Sequence, residues 1–137
     1  MLASAPMVTL IPIRDPDKSR PFYEQTLGLR FVANEGGALV FAVGEQMLRL
    51  NVVEAFEPYP FSILSWRVPD IAAAIRELGE RGVEFVRYPC FEQDELGVWT
   101  APGGAAKVAW FLDPDRNGLS LVEVTGPPRE QTRASRD

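Results

Sequence analysis

Two kinds of apolar spacing alternate along this chain, and the alternation occurs twice. Residues 7–13 are apolar and rich in β-branched side chains, as a strand requires. Pro16 then suits the first turn of a helix that should run to about Thr26, with Phe22, Tyr23 and Leu27 forming an apolar stripe. Three strands are predicted after Gly28, over residues 29–33, 38–43 and 46–53, with turns at Asn34-Glu35-Gly36-Gly37 and Gly44-Glu45. The second half repeats the order. Residues 61–68 read as a strand, and Ile71, Ala74, Ile75 and Leu78 as the stripe of a helix ending before Gly82. Strands are then expected over 83–87, 106–112 and 119–125.

The repeat is visible in the residues themselves. Leu27-Gly28-Leu29-Arg30-Phe31-Val32 returns as Arg81-Gly82-Val83-Glu84-Phe85-Val86, and Ile13-Arg14-Asp15 returns as Val68-Pro69-Asp70. In each half an Asp caps the helix, because its carboxylate accepts orphan N–H groups, and a Gly ends it. The predicted fold is therefore α+β, two tandem βαβββ modules (7–55 and 61–125) forming a cupped, partly closed mixed sheet with helices outside. Both belong to one domain over 1–126, joined by Phe56-Glu57-Pro58-Tyr59-Pro60, where two prolines block helix and central strand alike. Residues 127–137 lack apolar side chains to bury, and a disordered tail is expected there. Between Tyr88 and Gly104 the second half carries a long connection with no counterpart in the first, and loops of that length are often functional.

Composition narrows the chemistry. Among 137 residues there is no histidine, which removes Ser-His-Asp and Cys-His catalysis and every His-based metal site. A net charge of −5 argues against nucleic acid as a partner. No apolar run approaches the length of a membrane-spanning helix. The single cysteine, Cys90, has no internal disulfide partner, and the first residues lack the charged and apolar regions of a secretory signal, so a cytoplasmic protein is expected.

The duplicated pattern resembles the vicinal oxygen chelate superfamily, the group of glyoxalases, bleomycin-resistance proteins and extradiol dioxygenases. Asp15-Pro16-Asp17-Lys18-Ser19-Arg20-Pro21-Phe22-Tyr23 followed by Leu27-Gly28-Leu29 is similar to that family's first helix. Phe111-Leu112-Asp113-Pro114-Asp115-Arg116-Asn117-Gly118 is similar to its final turn, where Asp-Pro-Asp-Gly-Asn is usual. The resemblance implies two half-barrels around a cavity in which four strand positions commonly hold a divalent metal. By the family's spacing those positions fall on Val8, Arg49, Ile63 and Ser120. Two have no donor atom and a third is cationic, so the resemblance implies the fold without its metal chemistry and without a cofactor. The expected function is metal-free binding of a small aromatic or anionic molecule between the modules, as in the bleomycin-resistance branch. The alternative is a glyoxalase-like lyase or isomerase, or a dioxygenase-related enzyme, with a non-standard metal site. A homodimer is expected, because modules of this superfamily pair within one chain or swap between two.

Strand alternation then picks the lining. Met47, Arg49 and Asn51 share one face of their strand, Ile63, Ser65 and Arg67 another, and Ser120 lies with Val122. Arg49, with Arg67, would hold an acidic group of a ligand, or Arg49 pairs with an internal acid such as Glu92 or Asp94. Trp99 and Trp110, with Tyr88 and Phe91, would make an aromatic wall, or belong to the core. Asp94 is either an acid facing the site or a turn residue. Cys90, without a cationic neighbour to lower its pKa, reads as a small apolar residue near the cavity. Ala101-Pro102-Gly103-Gly104 reads as a turn, since no phosphate-loop helix follows it.

Overall fold

In the computed structural model, which describes residues 1–125, Asp15 and Asp70 divide strand from helix as expected. The Asp15 carboxylate accepts the Asp17 N–H at 2.9 Å, and Asp70 accepts that of Ala73 at 3.1 Å. Module one consists of β1 (Val8–Ile13), α1 (Pro16–Pro21), β2 (Arg30–Asn34), β3 (Ala38–Val43) and β4 (Gln46–Val52). Pro21 has no N–H for the α-helical ladder, and past it the helix widens into a π-helical turn, Phe22–Thr26, closed by the Leu27 N–H on the Phe22 carbonyl. Module two consists of β5 (Ser62–Arg67), α2 (Ile71–Glu80), β6 (Trp99–Thr100), β7 (Ala106–Leu112) and β8 (Gly118–Val124).

Each module makes a four-stranded mixed sheet, ordered β1-β4-β3-β2 and β5-β8-β7-β6, and neither sheet closes. The first strand of each lies parallel to the last, with α1 or α2 following the parallel partner. Strand alternation decides the rest. Ile11, Ile13, Leu39, Phe41, Leu48 and Leu50 point to the helix side of the first sheet. Ala109, Phe111, Leu119 and Leu121 do so in the second, and with Tyr23, Ile71 and Ile75 they make one core shared by both modules. On the opposite face of the first sheet Val8 and Leu10 stay exposed, at 52% and 60%, beside Met47 and Arg49 in register.

The final turn ties the modules together. Asp113 accepts four hydrogen bonds: to Oδ1 from the Asp115 and Asn117 N–H groups, and to Oδ2 from Tyr23 Oη at 2.7 Å and Asn117 Nδ2 at 2.9 Å. Asn117 Nδ2 also donates to the Pro12 carbonyl, and Asp115 accepts the Arg14 N–H and Nε. Burial pushes the Asp113 carboxyl above its usual range, although all four bonds pull the other way. The Tyr23 phenol is raised by burial first and then by the negative Asp113 and Asp115. Within this turn Arg116 takes a left-handed conformation, φ 71°, at the place where the resembling turns have glycine.

One expected strand does not form. Residues 83–87 make a single bridge, Val86 to Trp110, and β6, inside the long connection, is the strand that pairs with β7. The reason is local. The Gln93 carboxamide takes the bonds a neighbouring strand would supply, accepting the Tyr88 N–H and donating to the Val86 carbonyl, while Phe85 turns into the core against Phe111. The tail expected over 127–137 lies outside the described residues.

Candidate functional site

Trp110 projects from β7 on the face away from the core, because its neighbours Ala109 and Phe111 occupy the buried side. The connection after residue 87 folds back over it. Phe91 stacks on Trp110 with ring centroids 4.9 Å apart and planes at 12°, and Tyr88 meets Trp110 edge-on at 5.5 Å. Trp99 closes the group at 4.9 Å from Phe91 and 6.2 Å from Trp110. The aromatic wall read from the sequence is thus a contiguous cluster outside the main core. The third tryptophan, Trp66, is on the other side, stacked against Phe111.

Two pockets flank the cluster. The larger, about 900 Å³, is bordered by Arg87, Tyr88, Phe91, Glu92, Asp94 and Trp99. The smaller, about 380 Å³, lies between Trp110, Phe91 and Tyr88 on one side and Phe61, just before β5, on the other. Cys90 is exposed on its border. Both volumes fall within the range usual for small-molecule sites. Phe61 was not singled out in the sequence, although the aromatic-proline alternation Tyr59-Pro60-Phe61 was the available signal.

The polar candidates are distributed differently. Asp94 is a turn residue: its Oδ1 accepts the Leu96 and Val98 N–H groups at 2.9 Å each. Arg49 does pair with an acid, but the partner is Glu35 at 2.7 Å, not Glu92 or Asp94, because the β2–β3 turn brings Glu35 over β4. Asn51, half-buried, stands in register with Pro12 and Ala38. Arg67 is exposed on β5 opposite Val122. Ser120 is 4% exposed, with its hydroxyl 2.9 Å from that of Ser62. Neither pocket beside the aromatic cluster is lined by Arg49, Asn51, Arg67 or Ser120. A third pocket, about 450 Å³, does lie between the modules, but on the helix side, where Leu27, Val43, Trp66 and Leu78 line it and none of the predicted binding residues does.

The residues do not fit the family's divalent metal. Val8 and Ile63 bring hydrocarbon, Arg49 a cation already paired with Glu35, and Ser120 a hydroxyl already hydrogen-bonded. Among the described residues no three His, Cys, Asp or Glu side chains come together as an alternative.

Two mixed sheets, each with its first strand parallel to its last and a helix at its back, define a vicinal oxygen chelate protein. The chain belongs to the Glyoxalase/Bleomycin resistance protein/Dioxygenase superfamily, whose family model matches residues 6–121. Solved structures agree. A member of that superfamily from Sphaerobacter thermophilus is 25% identical with a TM-score of 0.69, over 90% of this chain and 99% of its own. TnmS3, an antibiotic binding protein from Streptomyces sp. CB03234, is 26% identical with a TM-score of 0.67, over 91% and 99%. A lactoylglutathione lyase from Agrobacterium tumefaciens shares the fold at 20% identity and a TM-score of 0.66, over 88% and 93%. No curated protein matches the sequence.

Proposed function

We propose that this protein binds a small planar aromatic molecule without a metal, against the Tyr88, Phe91, Trp99 and Trp110 cluster. The observation that carries the reading is the cluster itself: four rings gathered outside the core, with an open pocket on either side. Aromatic faces held in this way stack on a flat ligand at little entropic cost, since each ring has few torsions to lose. Similarity to an antibiotic-binding protein supports the same direction. An anionic ligand is less favoured, because Arg49 already has Glu35. Titration with naphthalene and acridine derivatives, followed by tryptophan fluorescence, is the test. Trp110→Ala should weaken the best of them by about tenfold or more, while failure of every compound to perturb the native fluorescence would reject the reading.

The protein acts as a homodimer in the cytoplasm, a setting that suits one exposed thiol. The exposed Val8 and Leu10 on the open face of the first sheet, with Met7 beside them at 79% exposure, form an apolar surface that a second chain would cover. Light scattering should then return twice the 15.2 kDa of one chain. Leu10→Asp should return the single mass, and a native protein that is monomeric at all concentrations would rule the dimer out.

A further inference from the structure

The arm that carries Tyr88 and Phe91 is braced across its base by one side chain. Gln93 Nε2 donates to the Val86 carbonyl at 2.9 Å and to the Gly97 carbonyl at 2.8 Å, and its Oε1 accepts the Tyr88 N–H at 2.7 Å. These three bonds stand beside a stretch, residues 83–87, that makes no strand ladder; the backbone adds the Val86 N–H on the Trp110 carbonyl, the Gln93–Trp99 bridge and the Asp94 N–H on the Val98 carbonyl. Gly97 takes φ 91°, and a β-carbon added there would stand 3.4 Å from Phe85 Cβ and 3.9 Å from Gln93 Nε2. Arg87 donates to the Gln93 and Glu95 carbonyls, and Asp94 caps its own turn, so the arm is internally braced. Gln93 joins this turn to the two stems that reach the sheet: Val86, whose N–H donates to the Trp110 carbonyl, and Gly97, two residues before β6.

We propose that Gln93 is the positioning residue of the aromatic site: its carboxamide sets Phe91 and Tyr88 against Trp110 and thereby determines whether a flat ligand finds a wall there. The ligand half of this statement rests on the aromatic-binding reading above, whereas the positioning half does not. The two halves separate in one experiment. Only a carboxamide offers two donors and one acceptor in this arrangement. In Gln93→Glu a carboxylate would face two carbonyl oxygens, and protonation would restore one donor. The charged groups around it are Arg87, Glu92, Asp94 and Glu95, all present in the native chain, which serves as the control.

Near-ultraviolet circular dichroism of the Trp99–Trp110 pair reads the arm directly, and 2-naphthol is the binding probe. At about pH 7.5 the Gln93→Ala and Gln93→Glu variants should each lose about half or more of the tryptophan signal. Their far-ultraviolet spectra should stay unchanged, and naphthol affinity should fall by about tenfold. At about pH 4.5, near the range of a glutamic acid, Gln93→Glu should regain most of the signal and the affinity. Gln93→Ala should not, and the native chain should be the same at both pH values. A Gln93→Glu spectrum that matches the native one at both pH values overturns the positioning role, and this comparison stands within one chain even if Gln93→Ala does not fold. Should the native chain ignore 2-naphthol and the other aromatics, the binding reading fails while the dichroism still decides the role of Gln93.

Discussion

Asp113→Ala is expected to lower stability by about 3–5 kcal/mol, because it leaves donors of Tyr23, Asp115 and Asn117 in a buried turn with nothing to receive them. In a domain of this size that corresponds to a fall in Tm of roughly 10–20 °C, read by calorimetry. A drop of less than about 1 kcal/mol would mean that the turn does not hold the modules together. The same joint sets a pH dependence. Burial raises the Asp113 carboxyl above 3.8, so the fold favours its neutral form. That contribution is present below pH 3.8 and is lost as pH rises through the folded value. Tyr23 is raised above 10.0, so its stabilising neutral form operates up to that pH. Above it the unfolded chain ionises first, and stability should fall by about 1.4 kcal/mol per pH unit. Tyr23→Phe should be less stable at neutral pH and should show a shallower alkaline slope, measurable by denaturant titration between neutral and alkaline pH.

Gly118→Ala is the second substitution expected to do serious damage, for a reason unrelated to backbone freedom. Gly118 has an ordinary φ, but a β-carbon there would lie 2.9 Å from the Phe61 carbonyl oxygen and 3.2 Å from Ser62 Cα. Both are backbone atoms of the parallel neighbour, so neither moves without disturbing the β5–β8 pairing. A loss of about 2 kcal/mol is expected, together with a change around Phe61 that a titration of the smaller aromatic pocket would register. Alanine at no cost would show that the strand register can slip at its first residue.

The duplicated architecture could be read because its signals are local. Asp15 and Asp70 cap, Gly28 and Gly82 terminate, and the alternation in Phe41, Leu48 and Leu50 names the buried face; none of these needs a distant partner. Trp99 and Trp110 could also be nominated, since large aromatics in a long connection and on the strand that follows it are conspicuous. What stayed hidden was pairing. Residues 83–87 have strand composition, yet the group that satisfies them is a glutamine side chain further along the arm. Arg49 does lie on the face opposite Leu48 and Leu50, but the way the turn before β3 folds back to offer Glu35 is a matter of three-dimensional reach. Asp113 to Gly118 was legible as a turn that resembles the family's, but not as the joint between modules, because its bonds run to Pro12, Arg14 and Tyr23 at the other end of the chain.

That last separation bears on how the protein is made. Tyr23 meets Asp113 across 90 positions, Arg14 meets Asp115 across 101, and Pro12 meets Asn117 across 105. During synthesis the first helix therefore emerges long before its acceptor exists, with a phenol that no residue of its own module receives. The first module must wait, water-exposed along that seam, until the last hairpin leaves the ribosome and swings back. Closure of so large a loop is a slow, entropically opposed event. The chain is thus most open to proteases and chaperones in the interval when its sheets exist but its two ends have not yet met.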